Sequence, residues 1–353
     1  MKIAQVSPLF ESVPPQMYGG TERIVSYLTE ELVKQGHEVT LFASGDSLTA
    51  ARLVAPCQRA LRLNPDCVDM MAAHILELEM LWTQMEQFDF VHYHIDFLHF
   101  PFSRRQHKPQ FTTLHGRLDI PDLVPLYREF TDMPLVSISH AQRRPLTWVN
   151  WIGTVHHGLP VDRYALHERE GKYLAFLGRI SPEKRLDRAI EIAKAAGLPL
   201  RVAAKIEKAD LAYYQTHIRH LLDDPLVEFI GEISDREKDA FLGNALALLF
   251  PIDWAEPFGL VMIEAMACGT PVIAYKKGSV PEVIDHGLTG YIVQSQPEAI
   301  EAVSQLHRID RRQCRTMFEQ RFSATRMVSD YLLLYEQMVN TAGGSQAGLS
   351  PIR

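Results

Sequence analysis

Short apolar runs alternate with stretches of helical spacing along almost the whole chain. Residues 2–6 form a buried-type strand, followed by a loop with Pro8, Pro14, Pro15, Gly19 and Gly20. Ile24, Leu28, Leu32 and Val33 then recur at helical spacing, which predicts a helix from Thr21, as N-cap, to a stop at Gly36. Residues 38–42 return to a strand and complete a βαβ unit. Further strands are predicted at 90–93, 110–114, 135–138 and 154–156. The polar run 167–172 interrupts the pattern, so the domain linker is expected there. A second series follows, with strands at 173–178, 200–204, 227–230, 247–250, 272–274 and 291–293. Its first helix covers 186–196 and ends at Gly197, and a last helix covers 323–339.

Alternation of this kind argues for an α/β protein with parallel sheets covered on both faces. The expected architecture is two doubly wound, Rossmann-like domains facing each other across a cleft. The expected bounds are 1–165 for the first domain and 166–322 for the second. A helix at 323–340 would return to the first domain, and the Gly-rich tail 341–353 would be disordered. In such sheets ligands sit beyond the carboxyl ends of the strands, so the loops there carry the weight.

The chain has 353 residues, enough for two cores, with 46% hydrophobic and 22% charged residues. A net charge of −7 offers no global field to nucleic acid, so an anionic substrate needs a local cluster of cations. Cys57, Cys67, Cys268 and Cys314 show no paired spacing and read as reduced thiols. The chain opens with a strand-length apolar run in place of a signal peptide, and no apolar stretch reaches the ~18 residues of a membrane span. A cytoplasmic protein with no transmembrane segment is expected.

Two carboxylates, Glu256 and Glu264, stand in Glu256-Pro257-Phe258-Gly259-Leu260-Val261-Met262-Ile263-Glu264. The second lies inside an apolar helix, where an ionised group is costly without partners. Gly259 opens that helix and lets a ligand approach its N–H groups. Isolated, the two glutamates would read as a cap and a structural ion pair. Arg179 and Lys184, in Gly178-Arg179-Ile180-Ser181-Pro182-Glu183-Lys184, follow a strand end. They read either as a clamp for a diphosphate or as a solvated basic loop. Gly19-Gly20 closes the first βα loop at a helix start. His115 ends a strand, Ser139 follows another and can cap a helix, and Arg143 lies a turn beyond. His92 and His94 share a strand face, but with Asp96 and His99 they match no metal-ligand spacing. The sequence contains no D-x-D.

From the Gly19-Gly20 loop to the final helix, these motifs resemble the retaining glycosyltransferases of the group 1, or family 4, type, whose fold is named GT-B. The resemblance rests on the E-x7-E segment and on G-R-x4-K at Gly178–Lys184. It implies transfer of a hexose from a nucleotide-sugar, UDP before GDP, with retention of configuration and without a metal or other cofactor. It assigns Arg179 and Lys184 to the diphosphate, Glu256 to the sugar and Glu264 to the ribose. Phe258, Gly259 and Leu260 would line sugar and phosphate, Gly19 and Gly20 would touch donor phosphate and acceptor, and His115 would touch the transferred sugar. His94, Ser139 and Arg143 are the candidates for the acceptor, a sugar, lipid-linked or small molecule. Arg104-Arg105, His107-Lys108 and residues 148–152 offer a peripheral membrane or partner patch, or plain surface charge and core aromatics. Two positions depart from the family's commoner pattern: Gly278-Ser279 replaces Gly-Gly, and Asp253-Trp254 precedes Glu256. The competing expectations are an epimerase or phosphorylase on the same scaffold, and a non-catalytic sugar-nucleotide-binding subunit.

Overall fold

In the computed structural model every strand pairing is parallel, and the described residues are 1–17, 19–169 and 171–346. Two compact units form. The first is Met1–Gly158 with the C-terminal helix, and the second is Leu159–Ser323.

The first unit is a seven-stranded sheet in the order β3-β2-β1-β4-β5-β6-β7. Its strands are β1 (Lys2–Val6), β2 (Glu38–Phe42), β3 (Arg52–Val54), β4 (Phe90–Tyr93), β5 (Gln110–Thr113), β6 (Leu135–Ser137) and β7 (Trp151–Thr154). Its helices are α1 (Gly20–Lys34), α2 (Met70–Trp82), α3 (Phe100–Ser103) and α4 (Leu123–Glu129), joined by the C-terminal helix. The second unit has six strands in the order β10-β9-β8-β11-β12-β13. These are β8 (Tyr173–Arg179), β9 (Leu200–Lys205), β10 (Val227–Gly231), β11 (Ala245–Phe250), β12 (Val272–Tyr275) and β13 (Gly290–Val293). Its helices are α5 (Leu186–Ala196), α6 (Leu211–Tyr213), α7 (Asp235–Gly243), α8 (Leu260–Ala267), α9 (Val280–Val283), α10 (Gln296–Ser304) and α11 (Arg311–Phe322). The C-terminal helix is α12 (Ala324–Gln346). In each unit the winding direction reverses once, between β1 and β4 and between β8 and β11. Loops leaving those strands part there and open a crevice.

Period-2 alternation assigns the two faces of β4. Val91 and Tyr93 pack with Leu78 and Leu81 of α2. Phe90 faces the other way and meets the Tyr335 ring of α12 at 4.5 Å, with Phe111 of β5 at 5.5 Å from the same ring. α12 thus completes the first unit's core, which is why the last helix of the chain belongs to the first sheet.

Five boundaries differ from the sequence reading: α1 starts at Gly20 with Gly19, not Thr21, as its N-cap, and four others follow. β3, three residues long, carries too little pattern to be noticed. β7 lies at Trp151–Thr154 and not at 154–156, because an irregular register with β6 pairs Val136 with Gly153. The polar run 167–172 belongs to the second unit: His167 O accepts from Arg311 Nε at 2.6 Å and Lys172 N donates to Asn244 O at 3.2 Å, while Glu170 lies outside the described residues. α12 continues through Gly343 and Gly344 to Gln346, since extending an existing helix costs far less than starting one. The remainder of the expected tail, 347–353, lies outside the described residues. Among the described residues no helix is long and apolar enough to cross a membrane.

Glu77, on the buried face of α2, has both carboxyl oxygens enclosed without a hydrogen-bond partner among the described residues, and burial pushes its pKa well above the ordinary value. The native state therefore holds this proton after the unfolded chain has lost it, and stability falls as pH rises above the ordinary carboxylate range. Glu77→Met should raise the thermal midpoint at pH 8, by about 1–3 kcal/mol of stability, and by less at pH 5. An unchanged or lower midpoint at pH 8 would contradict this.

Candidate active site

In the second unit, the loops after β8 and β11 leave from neighbouring strands at the reversal point. The first brings Lys184 and the second brings Glu256, and the two side chains form a close ion pair. Trp254 Nε1 donates to the same Glu256 oxygen, Oε2, at 3.0 Å. The ammonium also lies over the rings of Trp254 (5.2 Å) and Phe250 (5.5 Å). Gly259 takes a left-handed conformation (φ 81°) as the N-cap of α8, so the first turn of that helix starts directly beside the pair. Phe258 is buried, and Leu260 is the first residue of α8.

The departures from the family pattern have roles here. A Cβ on Gly278 would fall 2.3 Å from Glu256 N and O, so only glycine lets this loop approach. Ser279 N then donates to Glu256 O at 3.0 Å, and its hydroxyl donates to Phe258 O at 2.8 Å. The Glu256–Phe258 backbone is thereby clamped. Asp253, beside Trp254, pairs with Arg185, Arg188 and Lys277.

Arg179 ends β8 among carboxylates: Glu183, Glu207 (3.6 Å) and Asp210 (3.2 Å). Glu264, almost enclosed on α8, is ion-paired with Lys238 of α7 at 2.9 Å, and Lys238 also meets Asp235 at 3.2 Å. The partner that an ionised glutamate needs in an apolar helix thus comes from another helix. Sequence reasoning missed Lys238 and the carboxylates around Arg179. The only signal was that so many charges near strand ends require counter-charges.

In the first unit, Gly19 caps α1 and Gly20 starts it. A Cβ on Gly19 would lie 2.7 Å from Pro15, so this glycine is a packing requirement. Two buried carboxylates, Glu11 and Glu22, flank the loop, with Arg62 3.6 Å from Glu11. Burial raises the pKa of Glu22.

His94 follows β4 and His115 follows β5, and the structure brings them together: His94 Nδ1 and His115 Nε2 are 2.8 Å apart. His94 Nε2 meets Gln5 Oε1 at 2.8 Å, and Gln5 Nε2 donates to Tyr335 Oη at 3.0 Å. Tyr335 Oη meets His92 Nδ1 at 2.8 Å, and His92 Nε2 meets Thr113 Oγ1 at 2.7 Å. His115 stacks on His157 with ring centroids 5.3 Å apart. Both ring nitrogens of His99 are also taken by protein, Ser103 Oγ and Thr112 Oγ1, each at 2.6 Å. Burial lowers the pKa of His92, His94 and His157 well below the ordinary value, with neighbouring imidazoles adding to the effect, and lowers that of half-buried His115 to about 3.

Ser139 Oγ accepts from Gln142 N at 3.0 Å, as a cap. Gln142 ties that turn to the His115 loop through Leu114 O and Gly116 O, both at 2.8 Å. Arg143 Nε donates to Ser137 Oγ at 2.7 Å, and its guanidinium lies over Trp151 at 5.2 Å. In the candidate membrane patch, Arg104 pairs with Glu129 and Asp132, and Trp151 Nε1 donates to Leu146 O at 2.7 Å. Those two residues are therefore engaged in packing.

Two family models match the sequence: "Glycosyl transferases group 1" over residues 163–317 and "Glycosyltransferase Family 4" over residues 18–155. The D-inositol 3-phosphate glycosyltransferase of Mycolicibacterium smegmatis is 31% identical over 193 residues, which cover 50% of this chain and 42% of that protein. The chain spans less than half the length of the curated relatives it first matches. Among solved structures, a glycosyltransferase involved in avilamycin A biosynthesis superposes with a TM-score of 0.73 at 22% identity, covering 96% of this chain and 98% of that one. The Anabaena protein HepE, solved with UDP and glucose, gives a TM-score of 0.72 at 16% identity, covering 96% and 100%. These likenesses show the fold, which is GT-B.

Four imidazoles held neutral imply a definite pH response. The unfolded chain binds protons below the ordinary histidine pKa while the native state does not, so stability is complete above about pH 6.5 and falls below it. Each fully buried histidine contributes up to about 1.4 kcal/mol per pH unit. In Glu77→Met, which lacks the opposing buried carboxyl, the thermal midpoint should be flat from pH 7 to 8 and drop steeply towards pH 5. A midpoint constant down to pH 5 would contradict the assignment.

Proposed function

The chain belongs to the group 1 glycosyltransferases, and from that premise we propose that it moves a hexose from a UDP-sugar to an acceptor hydroxyl, with retention and without a metal ion. The observation that carries this reading is the Lys184–Glu256 pair at the β8/β11 reversal point, beside the N-terminus of α8. A cation, an anion and a helix start are the groups that a diphosphate joined to a sugar requires.

In the proposed complex the diphosphate, with more charge than a carboxylate, takes the Lys184 ammonium. It competes in the same way with Glu183, Glu207 and Asp210 for Arg179. Glu256, released from Lys184, then accepts hydrogen bonds from sugar hydroxyls near the reacting carbon, with Trp254 Nε1 still orienting it. The first-turn N–H groups of α8 face the sugar and phosphate, and Glu264 binds the ribose. As the bond to the sugar breaks, Arg179, Lys184 and the helix end stabilise the departing diphosphate. One of its oxygens takes the acceptor proton on the same face, which retains configuration. Cationic side chains supply the neutralisation that a divalent ion provides elsewhere, so no cofactor is needed. In the first unit His115 meets a sugar hydroxyl, while His94, Ser139 and Arg143 mark the acceptor side. The carboxylates Glu11 and Glu22 beside Gly19-Gly20 suit hydroxyl donors, while the backbone N–H groups of the loop suit phosphate. A sugar, a lipid-linked sugar or a small molecule fits this description of the acceptor, and a cytoplasmic setting, with room for peripheral membrane contact, goes with nucleotide-sugar use.

Lys184→Ala and Glu256→Ala should each lower turnover at least tenfold, about 1.4 kcal/mol of barrier. Folded variants with near-native turnover would refute those roles. A panel of UDP- and GDP-sugars, read by thermal stabilisation and by nucleotide release on adding acceptors, should favour a UDP-sugar and be indifferent to EDTA. Activity abolished by chelation and restored by a divalent ion would overturn the metal-free reading.

A further inference from the structure

The polar chain from α12 to the end of β5 runs in one direction. Gln5 Nε2 donates to Tyr335 Oη, and Thr113 Oγ1 donates to Tyr331 Oη at 3.1 Å. These two assignments determine every proton between them. Thr113, having donated its hydrogen, accepts from His92 Nε2–H, so His92 Nδ1 accepts from Tyr335 O–H. At the other end, a Gln5 amide that donates to Tyr335 turns its oxygen to His94, which must donate from Nε2. Neutral His94 then accepts at Nδ1, and the donor is His115 Nε2–H.

We infer that Tyr335 and Gln5, acting through His94, are positioning residues that hold His115 as the neutral Nε2–H tautomer, with an unprotonated Nδ1. The inference rests on the proposed role of His115 towards sugar. His115 Nδ1 is shielded and has no hydrogen-bond partner among the described residues. An orphaned N–H there would cost more than an orphaned lone pair. Nδ1 is therefore an acceptor, matched to a hydroxyl donor and not to a phosphate oxygen. The lowered pKa of His115 agrees with this, because a protonated ring would place two N–H groups where one acceptor is wanted. The arrangement also gives α12 a function beyond core packing, since both tyrosines lie one turn apart on its buried face.

Nitrogen-15 NMR of the full chain with labelled histidine side chains tests this without substrate. At pH 7.5 His115 should show a protonated Nε2 and a bare Nδ1. A protonated Nδ1, or a charged ring, would overturn the inference. Tyr335→Phe removes the acceptor that orients Gln5, and should give His94 and His115 a second set of tautomer signals. His99, bonded to Ser103 and Thr112 outside the chain, should be unchanged and reports that the fold persists. Unaltered His94 and His115 signals in a folded Tyr335→Phe variant would also overturn it. The tautomer is read without any transfer reaction, so an inactive protein with the expected signals would sink the functional reading and leave this one standing.

Discussion

A parallel sheet covered by helices on both faces has no open surface of its own. Its strands are mostly apolar, and polar chemistry gathers at their carboxyl ends and in the loops that follow. The winding reversal decides which of those loops diverge, and both units obey it. In the second unit the β8 and β11 loops present Lys184 and Glu256 to each other. In the first, His94 leaves the strand that follows the reversal and Gln5 lies on the strand before it. The chemistry is thus set by strand order before any particular side chain is considered.

Charge balance is the second constraint. Each prominent ionised group has a counter-charge from another element of the fold: Lys184 for Glu256, Lys238 for Glu264, and Glu207 and Asp210 for Arg179, which Glu183 of its own loop also meets. Pairing keeps low-exposure charges tolerable. It also means that an anionic ligand is bound by exchange of partners, so its affinity reflects how much better a diphosphate serves each cation than a carboxylate does.

The first unit solves the opposite problem. Around β4 and β5 its site end is built from neutral polar groups, four imidazoles among them, held by hydrogen bonds and not by charge. Such a network tolerates burial only when nearly every donor has an acceptor. α12 closes it, with Tyr331 and Tyr335 supplying the last oxygens.

Local pattern alone determined much of this protein. Periodicity in the short apolar runs located twelve of the thirteen strands among the described residues, one of them displaced by an irregular register, and Gly36, Gly197 and Gly259 marked helix ends. The E-x7-E and G-R-x4-K segments were legible because their residues lie within a few turns of one another. What pairs with those residues was not. Lys238 and Glu264 are 26 positions apart, Lys184 and Glu256 are 72 apart, and Gln5 and Tyr335 are 330 apart. Spacing along a chain encodes only neighbours on one helix or strand. Contacts between elements depend on strand order and on which face α12 covers, so the ion pairs, the hydrogen-bond direction and the tautomer of His115 were decided by the tertiary structure.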